Sequence, residues 1–160
     1  MSCKSWSMLS LIVFMLFCVL PGTGISAEAT GGEYGDYIGW MKCRSCHEQL
    51  AAGWQMTRHA WAFGDLKKSG QEGLPDCQRC HVIGYGEEGG FIDSDLTPEL
   101  VNVQCEECHG AGRAHASDPG KKGSIIAKPS EQKCLKCHTP GQDKSFNYAL
   151  KIKEIHGPKQ

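Results

Sequence analysis

Cys43-Arg44-Ser45-Cys46-His47, Cys77-Gln78-Arg79-Cys80-His81, Cys105-Glu106-Glu107-Cys108-His109 and Cys134-Leu135-Lys136-Cys137-His138 are four copies of one pattern. In Cys-x-x-Cys-His the two thiols add to the vinyl groups of a haem, and the His that follows ligates its iron from the proximal side. Cys-x-x-Cys by itself also serves zinc ribbons and redox disulfides. Here every copy carries the adjacent His, which uses four of the seven histidines in the chain. Neither zinc sites nor disulfides would require that. The pattern predicts four covalently bound haem c groups, held by Cys43, Cys46, Cys77, Cys80, Cys105, Cys108, Cys134 and Cys137, with His47, His81, His109 and His138 on the irons.

Upstream, Lys4 precedes an apolar run from Met8 to Leu20, and Ser26-Ala27 stands before Glu28. A basic start, a short apolar run and a small residue at the cut describe a secretory signal peptide over residues 1–27. A spanning helix wants about 20 apolar residues, and Pro21-Gly22-Thr23-Gly24 ends this run early. Cys18 follows the bulky Phe17, where a lipoprotein cut would need a small residue. Export predicts a periplasmic protein, with an extracellular one as the variant, and it matches haem attachment, which bacteria perform outside the cytoplasmic membrane. Two of the ten cysteines, Cys3 and Cys18, leave with the signal; the remaining eight are those of the motifs.

Removing 27 residues from 160 leaves 133, a flexible Gly-rich leader over 28–36 and one domain over 37–160. About 33 residues per haem cannot wrap a large side-chain core around four macrocycles, so the haems themselves are the expected core. The chain carries 17 Lys and Arg against 18 Asp and Glu, and haem propionates add negative charge. A mildly acidic holoprotein argues against nucleic acid and offers no basic patch for a membrane surface, so membrane contact is expected only through a partner.

Along the chain, an uninterrupted helix is expected from Cys43 to about Gly64, with Cys46, Leu50, Ala51 and Trp54 near one face; Trp54 and Trp61 read as haem-packing residues. Lys67 to Pro75 reads as a polar loop. Val82 to Ile92 has apolar ends around a Gly-rich centre, a small hairpin or Ω-like turn; as a phosphate loop it lacks the lysine and the flanking strand and helix. Thr97-Pro98 reads as a helix start, and Ser145 to Ile155 as a last helix.

Three histidines remain, His59, His115 and His156, and in a haem-dense chain a spare His serves as a distal iron ligand. Three for four irons leaves one sixth position open or otherwise filled. On one helix, twelve residues from His47 to His59 give about 18 Å of rise, so His59 belongs to another haem than His47. His115 follows His109 by a short path and also crosses to another haem, whereas His156, beyond Pro140-Gly141, can return to the haem of His138.

Cys43-x-x-Cys46-His47 with Trp54 and His59-Ala60, Cys80-His81 with Gly84-Tyr85-Gly86 and Gly89-Gly90, and Val103-Gln104-Cys105-Glu106-x-Cys108-His109-Gly110-x-Gly112 resemble the tetrahaem cytochrome c-554 family of nitrifying and related bacteria. The likeness spans about residues 37–157. It implies a mainly α, compact multihaem fold with little strand, closely stacked haem pairs and a five-coordinate second haem. It further implies His47 with His115, His109 with His59 and His138 with His156 as axial pairs, His81 alone, and a hydroxylamine oxidoreductase-like donor among the redox partners.

Bis-His ligation leaves no vacant site and favours low potentials. The sequence therefore points to an exported carrier of electrons between redox proteins, with no catalytic residue assigned. The rival is an enzyme reducing nitric oxide or another small oxidant at the haem of His81. Met41, Met56, a histidine of another subunit or plain apolar closure are the duller occupants of that sixth position.

Overall fold

The fold, taken from a computed structural model, is described for residues 36–157; the expected signal peptide, and the leader apart from Asp36, lie outside the described residues. The described residues fall in one unit, Tyr34–Gln160. Its elements are short helices: α1 (Trp40–Arg44), α2 (Glu48–Gln55), a 3-10 turn (Arg58–Trp61), α3 (Ala62–Ser69), α4 (Pro75–His81), a second 3-10 turn (Pro98–Leu100), α5 (Cys105–His109), α6 (Arg113–Ser117), α7 (Glu131–Leu135) and α8 (Tyr148–Lys151). No helix among them is long and apolar enough to cross a membrane.

The second and third haem motifs lie within α4 and α5, whereas the first and fourth begin in the last residues of α1 and α7 and continue as one turn beyond them. The spacing i, i+3, i+4 puts both thiols and the imidazole on one face of each motif's turn. The turn is closed by its own ends: the amides of His47 and His138 each donate to the carbonyl of the first cysteine of their motif at 2.9 Å.

The single helix expected from Cys43 to Gly64 is instead four pieces. His47 leaves helical geometry (φ −119°, ψ 50°) to start α2, and Thr57 is extended (φ −91°, ψ 161°) ahead of the 3-10 turn. The Thr57 hydroxyl and amide both return to the Trp54 carbonyl, at 2.7 and 2.8 Å, which caps α2 and turns the chain. A straight helix would have carried His59 along the axis of His47; the break re-aims it. Downstream, α3 runs on to Ser69 and ends at Gly70, whose φ of 65° suits a glycine C-cap.

The apolar core is small and gathers on the second motif. Phe63, Leu66, Val82, Ile83, Phe91 and Leu100 are buried together, with Tyr37, Cys77, Tyr85 and Val101 packed against them. Val82 and Ile83 follow His81 directly, so the core anchors that motif from its C-terminal side. The segment from Ile83 to Phe91 is the expected Ω-like turn: Phe91 N donates to Ile83 O and Ile83 N to Leu100 O, both at 3.0 Å. Gly84 and Gly90 touch across its neck, where a Cβ on Gly90 would lie 1.8 Å from the Gly84 oxygen. An isolated antiparallel bridge, Val82 with Val101, is the nearest thing to a sheet among the described residues, so the fold is mainly helical.

Two expected helices are shorter than their sequences suggested. Thr97-Pro98 opens only a 3-10 turn, because the Thr97 hydroxyl binds Ile92 N and Asp93 O instead of capping. In the last segment only Tyr148–Lys151 is α-helical, capped by the Asn147 side chain on Leu150 N, since Asp143 draws Ser145 into a turn.

Candidate haem site

One cavity of about 2530 Å³ runs through the domain, and all eight motif cysteines and all seven histidines line it. Trp54 is buried at its wall, 5.2 Å from the Trp40 ring, with its indole N–H on Val103 O at 2.9 Å. Trp61, expected at a haem face, is instead 66% exposed and bonds Gln55 O. Leu50 and Met56 line the cavity yet are open on that side. Apolar side chains turned into a thiol- and imidazole-lined space fit flat, largely apolar macrocycles.

Six of the seven imidazoles face one another in pairs. His47 and His115 have ring centroids 6.2 Å apart with planes 16° apart; His109 and His156, 6.1 Å and 14°; His59 and His138, 5.9 Å and 64°. Two imidazoles on one iron, each with a metal–nitrogen bond of about 2 Å, have centroids roughly 6.3 Å apart. Each pair therefore has the spacing to hold one iron. His81 has no imidazole so placed among the described residues.

The first pair is the one the resemblance implies; the other two exchange partners, as His59 faces His138 and His156 faces His109. Tethering explains the exchange. Tyr148 at the start of α8 donates its hydroxyl to Pro129 O at 2.7 Å, and the neighbouring Ile126 O binds His109 Nδ1 at 2.6 Å. The last segment is thus drawn to His109. Beyond His156, Gly157 lies against α2 so closely that a Cβ would meet Gly53 O at 2.1 Å. His59 is held in turn by its own carbonyl, which accepts from Val103 N at 3.1 Å.

Protonation suits ligation. Burial, then the neighbouring His138 and His81, push the His59 imidazole below its ordinary pKa; burial, then His109, does the same at His156. Both are biased to the neutral form that a metal requires. Three of the four proximal rings are oriented through Nδ1, which leaves Nε2 for iron: His81 Nδ1 to Ala62 O at 2.7 Å, His109 to Ile126 O, and His138 to Asp143 Oδ2 at 2.9 Å. The bond to His138 holds the Asp143 carboxyl below the usual range.

The motifs themselves abut. Cys43 lies within hydrogen-bond reach of Cys105 and Cys137 of Cys80, and Cys108 lies near Cys134. Contacts thus run from the first motif to the third, from the third to the fourth and from the fourth to the second. Lys133 and Glu107 reinforce the third-to-fourth step with a half-buried ion pair at 3.1 Å.

Two residues that the sequence did not single out for a role join the first motif to the third. Glu106 is 1% exposed and accepts from Ile38 N (3.0 and 3.1 Å), Gly39 N (2.7 Å) and Gly112 N (2.7 Å). Burial raises its carboxyl, against the pull of those donors and of Arg113. Gln104 accepts from Trp40 N and donates to Glu99 O and Val101 O, all at 2.6 Å. Their signal was a charged and an amide residue flanking Cys105, with glycines at 39 and 112 leaving the backbone bare.

Residues 42–110 match the family described as cytochrome c554 and c-prime. Over 160 aligned positions the chain is 29% identical to cytochrome c-554 of Nitrosomonas europaea, across 80% of this chain and 66% of that one, so it spans just under two thirds of the relative's length. The solved structure of the reduced state of cytochrome c554 from Nitrosomonas europaea superposes with a TM-score of 0.61 at 27% identity, covering 78% of this chain and 85% of the other. In sequence over residues 42–110 and in fold, the chain is thus similar to the cytochrome c-554 family, and its four Cys-x-x-Cys-His motifs fit four covalently bound haems.

Proposed function

We propose that this chain is an exported electron carrier that passes single electrons between redox proteins through a line of four motifs in the order first, third, fourth, second. The observation that carries the reading is the set of three facing imidazole pairs in one cavity with all eight motif thiols. When bound, haem iron supplies one-electron chemistry between ferric and ferrous states.

The chain's own part is geometric. Cys43, Cys46, Cys77, Cys80, Cys105, Cys108, Cys134 and Cys137 would fix the macrocycles as thioethers. His47 with His115, His109 with His156, and His59 with His138 would each hold one iron between them. An iron so held would have no position left for an exogenous ligand. The abutting motifs keep successive centres close, which is what single-electron hopping needs. Partners are redox proteins, and by the resemblance of the sequence motifs a hydroxylamine oxidoreductase-like donor is the first to test. The signal sequence over 1–27 supports a periplasmic setting, with release to the exterior as the variant.

A second reading rests on His81, whose Nδ1 is tied to Ala62 O and which has no facing imidazole among the described residues. Its iron would keep a position for nitric oxide or another small oxidant, fed by electrons from the fourth motif beside it.

Electron paramagnetic resonance of the oxidised holoprotein tests the ligand set: three low-spin ferric irons and one high-spin are expected, and four low-spin irons would remove the second reading. Spectroelectrochemistry with a reduced donor protein tests the first; irons that the donor cannot reduce would overturn it. An intact mass beginning at Glu28 with four haems would confirm export.

A further inference from the structure

We infer that Asp143 is a positioning residue that makes the iron of the fourth motif electron-rich, acting through His138. The inference rests on the reading that His138 and His59 ligate that iron. His81 and His109 give their Nδ1 protons to backbone carbonyls, at 2.7 and 2.6 Å, whereas His138 gives its proton to a carboxylate at 2.9 Å. A carbonyl is a neutral acceptor. A carboxylate draws the Nδ1 proton towards itself and leaves more electron density on Nε2, raising the basicity of the ligand. A more basic axial nitrogen stabilises ferric over ferrous iron, which lowers the potential of that centre relative to one held through a carbonyl.

The surrounding loop is built to keep this contact. Asp143 Oδ1 accepts from Ser145 N and Ser145 Oγ, each at 3.2 Å, which leaves Oδ2 for His138. Gln142 N and Asp143 N both return to Thr139 O, at 2.9 and 2.8 Å, closing the loop directly after the motif. Phe146 then stacks on the His138 ring with centroids 4.5 Å apart and planes 19° apart. The imidazole is thus gripped at its edge by the carboxylate and on its face by Phe146. Because the Asp143 side chain is 31% exposed, its charge is partly screened by solvent, and the hydrogen bond is the stronger route to the iron.

The test is a potentiometric titration of the holoprotein followed by electron paramagnetic resonance. His59→Ala first identifies the fourth iron, converting one low-spin ferric signal to high-spin; if no low-spin signal is lost, the ligation reading fails, and the inference with it. In Asp143→Asn that signal stays low-spin, its g-values move, and its equilibrium constant for reduction rises about tenfold, equivalent to 59 mV for a one-electron couple. The other irons move less than twofold. A change under twofold with the low-spin signal retained would overturn the inference, as would a shift in potential with unchanged g-values, since a charge acting only through space leaves the ligand field alone. Should Asp143→Asn not load haem, Ser145→Ala keeps the charge but loosens its aim, and a shift of the same sign, at least twofold, is expected; no shift overturns the inference.

Discussion

Glu106→Ala removes the acceptor shared by the amides of Ile38, Gly39 and Gly112. Each buried donor left without a partner costs about 1–3 kcal/mol, so three cost about 3–9 kcal/mol before relaxation. Water entering the space that the side chain leaves would satisfy part of this; a net loss of about 3 kcal/mol is expected, against the 5–15 kcal/mol typical of a whole domain. Glu106→Gln resembles the neutral acid that burial favours, keeps one acceptor oxygen and loses about 1 kcal/mol. The effect is local as well as global. Ile38 and Gly39 lead into α1 and the first motif, while Gly112 leads into α6 and His115, so one carboxylate holds both sides of the His47–His115 pair. Urea unfolding of the holoprotein measures the stability, and electron paramagnetic resonance reads the pair: Glu106→Ala is expected to convert part of one low-spin ferric signal to high-spin. A variant within about 0.5 kcal/mol of the parent, with all low-spin signals intact, would refute this account of Glu106.

His156→Ala should convert the low-spin iron of the third motif to high-spin and His115→Ala that of the first, each read as one low-spin signal lost; loss of the fourth motif's signal on removing His156 would restore the pairing implied by the resemblance. Ring planes 16° and 14° apart split the pair of iron dπ orbitals that overlap the imidazole π systems, whereas planes 64° apart leave that pair nearly degenerate. Two low-spin ferric signals should therefore be alike and the third should have a larger maximum g, and three indistinguishable signals would contradict the ring geometry. Gly90→Ala places a methyl 1.8 Å from the Gly84 oxygen, which the neck of the turn can relieve only by opening. A loss of about 3 kcal/mol in urea unfolding is expected, and an unchanged midpoint would show that the neck is not closed.

The chemistry of the site was legible in the sequence because it is written in local spacing. Cys-x-x-Cys-His needs only one helical turn to present its groups, so the four motifs read correctly without knowledge of the fold. The number of histidines left over for distal ligation was legible for a similar reason: seven less four leaves three, whatever the topology. Pairing was not legible, because it depends on contacts remote in sequence. His156 lies eighteen residues after His138, near enough to return to it, yet the hydroxyl of Tyr148 and the close packing of Gly157 on Gly53 carry it to His109. The helix from Cys43 was misread for want of a Pro or Gly at its break; there the Thr57 hydroxyl and an extended backbone did what a proline would have done.

That pattern of success and failure locates the information that folds this chain. The buried apolar cluster surrounds only the second motif, so little beyond Gly110 is held by side-chain packing of its own. The third and fourth motifs are held by the Ile126 carbonyl on His109, the Asp143 carboxylate on His138, the Lys133–Glu107 pair and, at the third, the amides on Glu106. Those interactions are polar and lie on the wall of the cavity that the macrocycles would fill. It follows that the two halves of the chain differ in their dependence on haem: the segment built on Phe63, Val82, Ile83 and Leu100 can order around its own core, whereas the segment from α6 to α8 has no comparable apolar centre and gains its order with its haems. The second motif, whose His81 faces no other imidazole among the described residues, is also the one that the polypeptide's own apolar core surrounds.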